Sequence, residues 1–184
     1  MMKLSDNPPI LSPGVDSLTE LSGRWWVAHT KARFEKAFAW ELHRRDIGYF
    51  LPMTERIRVY GGKKQPVMLP LFTSYVFFCG SEKNRYIAMT TNRLCQTIEV
   101  KDQQTIIKEL AAIEKALAAK VRLDPYPSAA VGQRFRITGG SLKDMEGIVI
   151  KRTQKARFVL QVDILGQGTV MEIDADLLEP VSDF

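Results

Sequence analysis

Cysteine is almost missing from the 184-residue chain: Cys79 and Cys95 are the only two, and they lack the short pairing of a zinc site or redox motif. This argues against a disulfide scaffold and fits a reducing setting. Histidine is as scarce, with His29 and His43 isolated from each other. No metal-ligand spacing, phosphate-cradling glycine loop or nucleophile elbow occurs, so the expectation is a non-enzyme with no catalytic residue, cofactor or metal. His29 and His43 read as surface or structural histidines, and Asp174, Asp176 and Glu179 as a solvated group. No apolar run approaches the ~20 residues of a transmembrane helix. Asp6, Pro8 and Pro9 interrupt any signal-peptide core, so a cytoplasmic protein without membrane contact is expected.

What the chain does have is a normal supply of core-forming residues: 45% are hydrophobic and 26% charged, which excludes global disorder. The net charge of +5 is modest, but it is unevenly placed. Residues 1–120 hold 18 basic against 12 acidic side chains, whereas residues 121–184 hold 8 against 9. The cationic excess therefore lies in the first two-thirds.

Residues 1–22 carry Pro8, Pro9, Pro13 and several serines with little apolar periodicity, and read as a flexible leader. Trp25 to Thr30 reads as a buried strand. From about Arg33 to Arg45, Phe34, Ala37, Phe38 and Leu42 lay a stripe on one helix face, with Glu41 falling in it and Gly48 suited to the left-handed cap. Tyr49 to Tyr60 is strand-like and broken at Pro52; Gly61-Gly62 permits a tight hairpin turn, and Lys63 to Met68 returns as an edge strand. Leu71 to Phe78 is the most apolar run, read as a central strand entered through a polar corner. A helix over 81–92, a strand over 96–100 and a helix over 102–120 complete an α+β domain, residues 24–120, with helices on an antiparallel sheet. Pro125 and Pro127 mark a linker over 121–130. The short alternating strands of residues 131–181 predict a small β-barrel, since closure removes exposed edges.

The hairpin brings Arg56, Arg58, Lys63 and Lys64 together, and Tyr60 offers a ring for stacking on an unpaired base. Phosphate contacts through such cations are salt-dependent and indifferent to sequence. A solvated hairpin is the competing reading of the same residues. Arg134, Arg136, Lys143, Lys151, Arg152, Lys155 and Arg157 form a second basic group, set against an acidic second half of the barrel. In the apolar run, period-two alternation groups Phe72, Ser74, Val76 and Phe78 on one face and Thr73, Tyr75 and Phe77 on the other.

Three segments together resemble the NusG-type transcription elongation factors, and among them the specialised paralogues similar to RfaH and the capsule-operon antiterminators. They are Trp25 to Lys31 with Phe34-Glu35; Pro52-Met53-Thr54 through the hairpin to Pro70 to Phe77; and Val131 to Ile137 with Gly140, Leu142 and Glu146 to Val149, which is similar to the KOW motif. The resemblance spans residues 24–181 in the family's order. It implies a NusG-type N-terminal domain followed by an SH3-like KOW β-barrel, and a monomeric factor that bridges the RNA polymerase cleft and opposes pausing or termination.

By that resemblance Phe72 and Tyr75, with Phe34 and Phe38 on the adjoining helix, match the surface that meets the polymerase clamp helices. The hairpin residues Arg56, Arg58, Tyr60, Lys63 and Lys64 would approach the non-template DNA strand or the upstream duplex. Ile164, Leu165 and Gly166 match the KOW loop that meets a ribosomal small-subunit protein or the Rho terminator. Two departures stand out: the family's usual Pro-Gly before the tyrosine is Thr73-Ser74, which should alter that corner, and an aromatic common in the KOW loop is Leu165. RfaH-like proteins can refold the barrel as a helical pair, whereas Val, Ile, Phe and Thr favour strands here. A ribosome- or RNA-associated KOW protein is the alternative reading.

Overall fold

The computed structural model describes residues 7–181. By its internal contacts the chain divides into two compact units, 1–103 and 104–184.

The first unit is built on a four-stranded antiparallel sheet. Its strands are β1 (Arg24–Thr30), β2 (Gly48–Phe50), β5 (Tyr75–Gly80) and β6 (Leu94–Glu99), in the order β2-β5-β1-β6. Alternation along β1 and β5 gives the sheet two apolar faces. Trp26, Ala28, Val76 and Phe78 belong to a core with Phe38, Ala39 and Leu42 of helix α1 (Glu35–His43) and Ala88 of helix α2 (Glu82–Thr90). Phe38 and Phe78 meet edge to face at 6.1 Å. The opposite face carries Trp25, Val27, Phe77 and Cys79, and burial pushes the Cys79 thiol up to about 11.

Helix α1 ends in a Schellman arrangement, with Ile47 N donating to Leu42 O at 3.1 Å and Asp46 N to His43 O at 3.3 Å. The left-handed residue is Asp46, at φ +52°, and not the expected Gly48. Gly48 is needed for space instead. It opens β2, where a Cβ would lie 2.9 Å from Cys79 Sγ and 3.1 Å from Leu21 Cδ2.

The expected flexible leader is corrected over its described part, residues 7–22; residues 1–6 of that expectation lie outside the described residues. Ser12 N donates to Tyr49 O at 3.0 Å and Leu51 N to Ile10 O at 2.7 Å, so the segment extends the sheet past β2. The Tyr49 hydroxyl donates to Pro9 O at 3.1 Å, and burial raises its pKa to about 12. Leu18 is fully buried, which contributes about 1.5 to 3 kcal/mol. Composition missed this because backbone pairing at an open edge needs little from the side chains.

The hairpin, β3 (Met53–Tyr60) and β4 (Lys63–Pro70), forms a two-stranded sheet of its own. Gly61 and Gly62 take φ +54° and +76°, as a two-residue turn of matching twist requires. The apolar run starts its strand only at Tyr75. Residues 71–74 are a turn with Ser74 at φ +66°, so the expected alternation does not reach Phe72. Phe72 and Phe77 share a side, their rings edge to face at 5.6 Å.

In the second unit, strands β7 (Asp124–Tyr126), β8 (Gln133–Ile137), β9 (Glu146–Arg152), β10 (Lys155–Val162), β11 (Gln167–Asp174) and β12 (Leu178–Pro180) pair in the order β12-β8-β9-β10-β11-β7. The expected linker thus contains a strand, β7, that pairs with β11, and the described ladder ends at β12 and β7 instead of closing on itself. Central β10 buries Phe158, Val159 and Leu160 in succession.

Helix α3 (Gln103–Ala118) buries Ile106, Leu110, Ile113 and Ala116 at helical spacing. All but its first residue group with the second unit, where the sequence places the helix in the first. Two bonds tie it there: Asp163 N donates to Glu109 Oε1 at 3.1 Å, and Lys115 Nζ to Lys143 O at 2.8 Å. Neither partner is apparent from local sequence, since each lies 54 or 28 residues away.

Candidate interaction surfaces

The hairpin register decides which charges act together. Directly opposed residues share a side, so Arg56, Arg58 and Tyr60 stand with Lys63, Gln65 and Val67. Glu55, Ile57 and Val59 stand with Lys64, Pro66 and Met68 on the reverse. The expected five-residue cluster therefore splits: Arg56, Arg58, Tyr60 and Lys63 form one cationic face, and Lys64 lies on the other. The apolar side is not buried, since Ile57 is 68% and Val59 63% exposed. Among the described residues Arg58, Lys63 and Lys64 form no ion pair, and the ribbon's Glu55 points away from the cationic face.

At the far end of β5 the rings of His29 and Tyr75 stack at 5.1 Å with 22° between their planes. Both are partly exposed, because His29 is the last outward residue of β1 and faces Tyr75 across the ladder. Sequence reading set His29 aside for lack of a catalytic partner; its register with Tyr75 was the missing signal. Phe34 is half-buried under the Arg93 guanidinium, 5.1 Å from its ring centroid. Phe72 and Phe38 are buried and serve the fold. Phe38 packs into the core with Phe78, on the opposite side of the sheet from Phe72. Of the four aromatic positions, the structure leaves Tyr75 and Phe34 partly open to a partner.

The turn that presents Tyr75 is held by Glu35 and Thr30, which the sequence does not mark as partners of Ser74. Ser74 N donates to Glu35 Oε1 at 2.6 Å, and Thr30 N to Ser74 O at 2.8 Å. Lys36 Nζ donates to Met68 O at 2.6 Å, at the base of the ribbon. Burial lowers the Lys36 pKa, with Glu35 acting in the other direction. Glu41, which fell within the apolar stripe, is compensated by Arg45, by Arg44 at 3.6 Å and by Arg93 at 3.9 Å. The Arg45 hydrogen bond is the main cause of its lowered pKa.

In the second unit two members of the basic group, Arg134 and Arg136, are ion-paired. Arg136 bonds Glu146 at 2.7 Å and lies 3.9 Å from Glu179, while Arg134 lies 3.9 Å from Glu146. Lys155 faces Asp174 and Arg157 faces Glu172 across β10 and β11. Ile164 and Leu165 sit in a half-buried 3-10 turn over Asp163–Leu165, capped by Gly166 at φ +58°. Among the described residues no group of three metal-ligating side chains occurs, and no helix is long and apolar enough to cross a membrane.

The family model described as "Transcription termination factor nusG" matches residues 23–116, just over half of the 184-residue chain. The chain belongs to the NusG family. This is a family of transcription factors and not of enzymes. The NusG match covers the whole first-unit sheet, the ribbon and most of α3. Among solved structures, one titled "Domain interaction in Thermotoga maritima NusG" is similar at 16% identity and TM-score 0.48, covering 86% of this chain and 97% of that one. A chain of "Crystal Structure of MjSpt4:Spt5 complex conformation B" is similar at 12% identity and TM-score 0.25, with the same coverages of 86% and 97%. No curated protein matches.

Proposed function

We propose that this NusG-family chain is a specialised elongation and antitermination factor of the RfaH and capsule-operon type, acting in the bacterial cytoplasm as a monomer. The observation that supports it most is the pairing, within the family domain, of a partly exposed His29–Tyr75 stack with a ribbon on which Arg58, Lys63 and Lys64 are exposed. Tyr75 and Phe34 would contact the polymerase clamp helices, with Phe72 supporting the turn from beneath and Phe38 fixing the helix that carries Phe34. Arg56, Arg58, Tyr60 and Lys63 would grip the non-template strand or upstream duplex, and Lys64 would approach from the other side. No bond is made or broken. A protein that binds the closed clamp more tightly than the open one shifts that equilibrium by its difference in affinity.

The second unit is read as an SH3-like KOW domain whose turn, Ile164, Leu165 and Gly166, contacts a ribosomal small-subunit protein or Rho. Ion pairing of Arg134 and Arg136 on β8 weighs against the alternative of an RNA-binding KOW protein. A pausing assay with purified core polymerase tests the main reading. The wild-type chain should shorten pauses, and Tyr75→Ala should weaken polymerase binding about tenfold or more, as loss of a central aromatic contact does. Equal activity of Tyr75→Ala and wild type, or no binding by either, would end it.

A further inference from the structure

We infer that Glu35 and Lys36 form a positioning brace that fixes the aromatic turn and the ribbon to one helix end, so that the two surfaces meet their partners as a single body. The identity of those partners rests on the functional reading above; the brace itself rests on geometry.

Glu35 is 6% exposed, and a buried carboxylate must find strong donors to offset its lost hydration. It accepts the 2.6 Å bond from Ser74 N, within the range of a charge-assisted hydrogen bond. Ser74 needs such a bond. At φ +66° it holds a left-handed conformation that is strained for a non-glycine residue. With its N–H held by Glu35 and its carbonyl by Thr30 N, this residue is locked from both sides, and Tyr75 follows it directly.

Lys36 is the next residue of α1 and points elsewhere, because consecutive helix positions do not share a face. Its ammonium holds Met68 O, in the return arm of the ribbon. Besides this bond, the ribbon base is tied by Leu71 N donating to Pro52 O at 2.9 Å and by Met53 and Met68 packing on the core, while its distal half stands exposed. From Met68 to the turn the arm extends roughly 17 Å at the rise of a strand, so play of ~10° at the base would move the tip about 3 Å. That displacement exceeds the tolerance of a phosphate hydrogen bond. Two neighbouring side chains thus tie both surfaces to the start of α1, adding a polar restraint to the core packing at the ribbon base.

The test compares full-length Glu35→Met, which lacks an acceptor but retains length and helix propensity, with Glu35→Gln, which keeps an acceptor oxygen. Lys36→Met is the third variant. Amide hydrogen exchange at Ser74 should rise about tenfold in Glu35→Met, the effect of losing one hydrogen bond, and return near the wild-type rate in Glu35→Gln. Lys36→Met should speed exchange along the ribbon and lower affinity for a forked DNA probe several-fold. The salt slope of that binding should not change, because Arg56, Arg58 and Lys63 remain; a lost phosphate contact would lower it by about 1.

Unchanged exchange at Ser74 in Glu35→Met, or no rescue by Glu35→Gln, would overturn the brace. So would faster exchange with polymerase affinity equal to wild type, since the bond would then be structural only. If wild type itself fails to bind polymerase, the functional reading falls, and the exchange comparison still decides whether the brace exists.

Discussion

The ribbon and the C-terminal strands are both rich in arginine and lysine, yet they differ in what surrounds each charge. On the ribbon, Arg58 and Lys63 share a face and form no ion pair among the described residues, and the ribbon's Glu55 lies on the reverse. On β8 and β9, Arg134 and Arg136 converge on Glu146, with Glu179 reached from β12. A count of cations cannot tell these apart. Cations without an acid beside them, such as Arg58 and Lys63, present a field that an anionic partner can use, because counterions condensed on nucleic acid are displaced by cations not already paired.

Four experiments would break or sharpen that contrast. Replacing Arg56, Arg58 and Lys63 by alanine should lower the salt slope of DNA binding by about 2 to 3, and the same change at the ion-paired Arg134 and Arg136 by less than about 1. Equal losses would show that both groups bind, and would restore the RNA-associated KOW reading.

A smaller effect should come from uncovering the paired cations. Glu146→Gln with Glu179→Gln frees Arg134 and Arg136 and should raise the slope of nucleic-acid binding by the second unit by about 1. Glu146 also holds the Arg136 pKa above its ordinary value, so the double variant removes that support. No gain would mean that compensation is not what silences this sheet.

Gly61→Ala with Gly62→Ala places side chains at two positive-φ positions and should cost the hairpin about 1 to 2 kcal/mol. The expected readout is altered ribbon amide shifts and weaker DNA binding with an unchanged main thermal transition, because the ribbon is a sheet of its own. A matching fall in that transition would show that the ribbon is integral to the core.

The least effect concerns Glu41, which is compensated by Arg44 and Arg45 just beyond the end of α1 and by Arg93. Its folded pKa is depressed, so its stabilising contribution is present above the ordinary carboxylate pKa and is lost as pH falls through the folded value. Glu41→Gln should therefore lower stability at neutral pH by less than about 1 kcal/mol and flatten the acid limb. Denaturant melts at neutral and acid pH check this, and a difference that grows toward acid would reverse the assignment.

Much of the fold could be read along the chain because its signals are local. The Trp25 to Thr30 strand, the Phe38 and Leu42 stripe of α1 and the Gly61-Gly62 turn all depend on neighbours within a few positions. The misreadings share another cause. Residues 10–12 pair with β2 and residues 124–126 with β11 through backbone bonds that composition does not register. Asp46 took the cap expected of Gly48, since a polar residue tolerates the left-handed region and Gly48 was required where Cys79 approaches.

The candidate surfaces were legible in part. Period two along β3 separated Arg56 and Arg58 from Ile57 and Val59, but Lys63 and Lys64 could not be assigned until the turn set the register. Phe72 and Tyr75 looked alike as aromatic members of one run, and the turn at Ser74 buried the first and left the second half-open. The tie of Glu35 and Lys36 to the turn and the ribbon has no local signature, because their partners lie 39 and 32 residues away.

By itself, the sequence determined the element types, the family and the placement of cationic excess in the first two-thirds, since propensity, periodicity and charge are properties of neighbouring residues. Tertiary structure alone decided which charges stay unpaired, which aromatics reach solvent and what holds the turn beside them. Those outcomes depend on distances between residues far apart in the chain, and no local pattern records them.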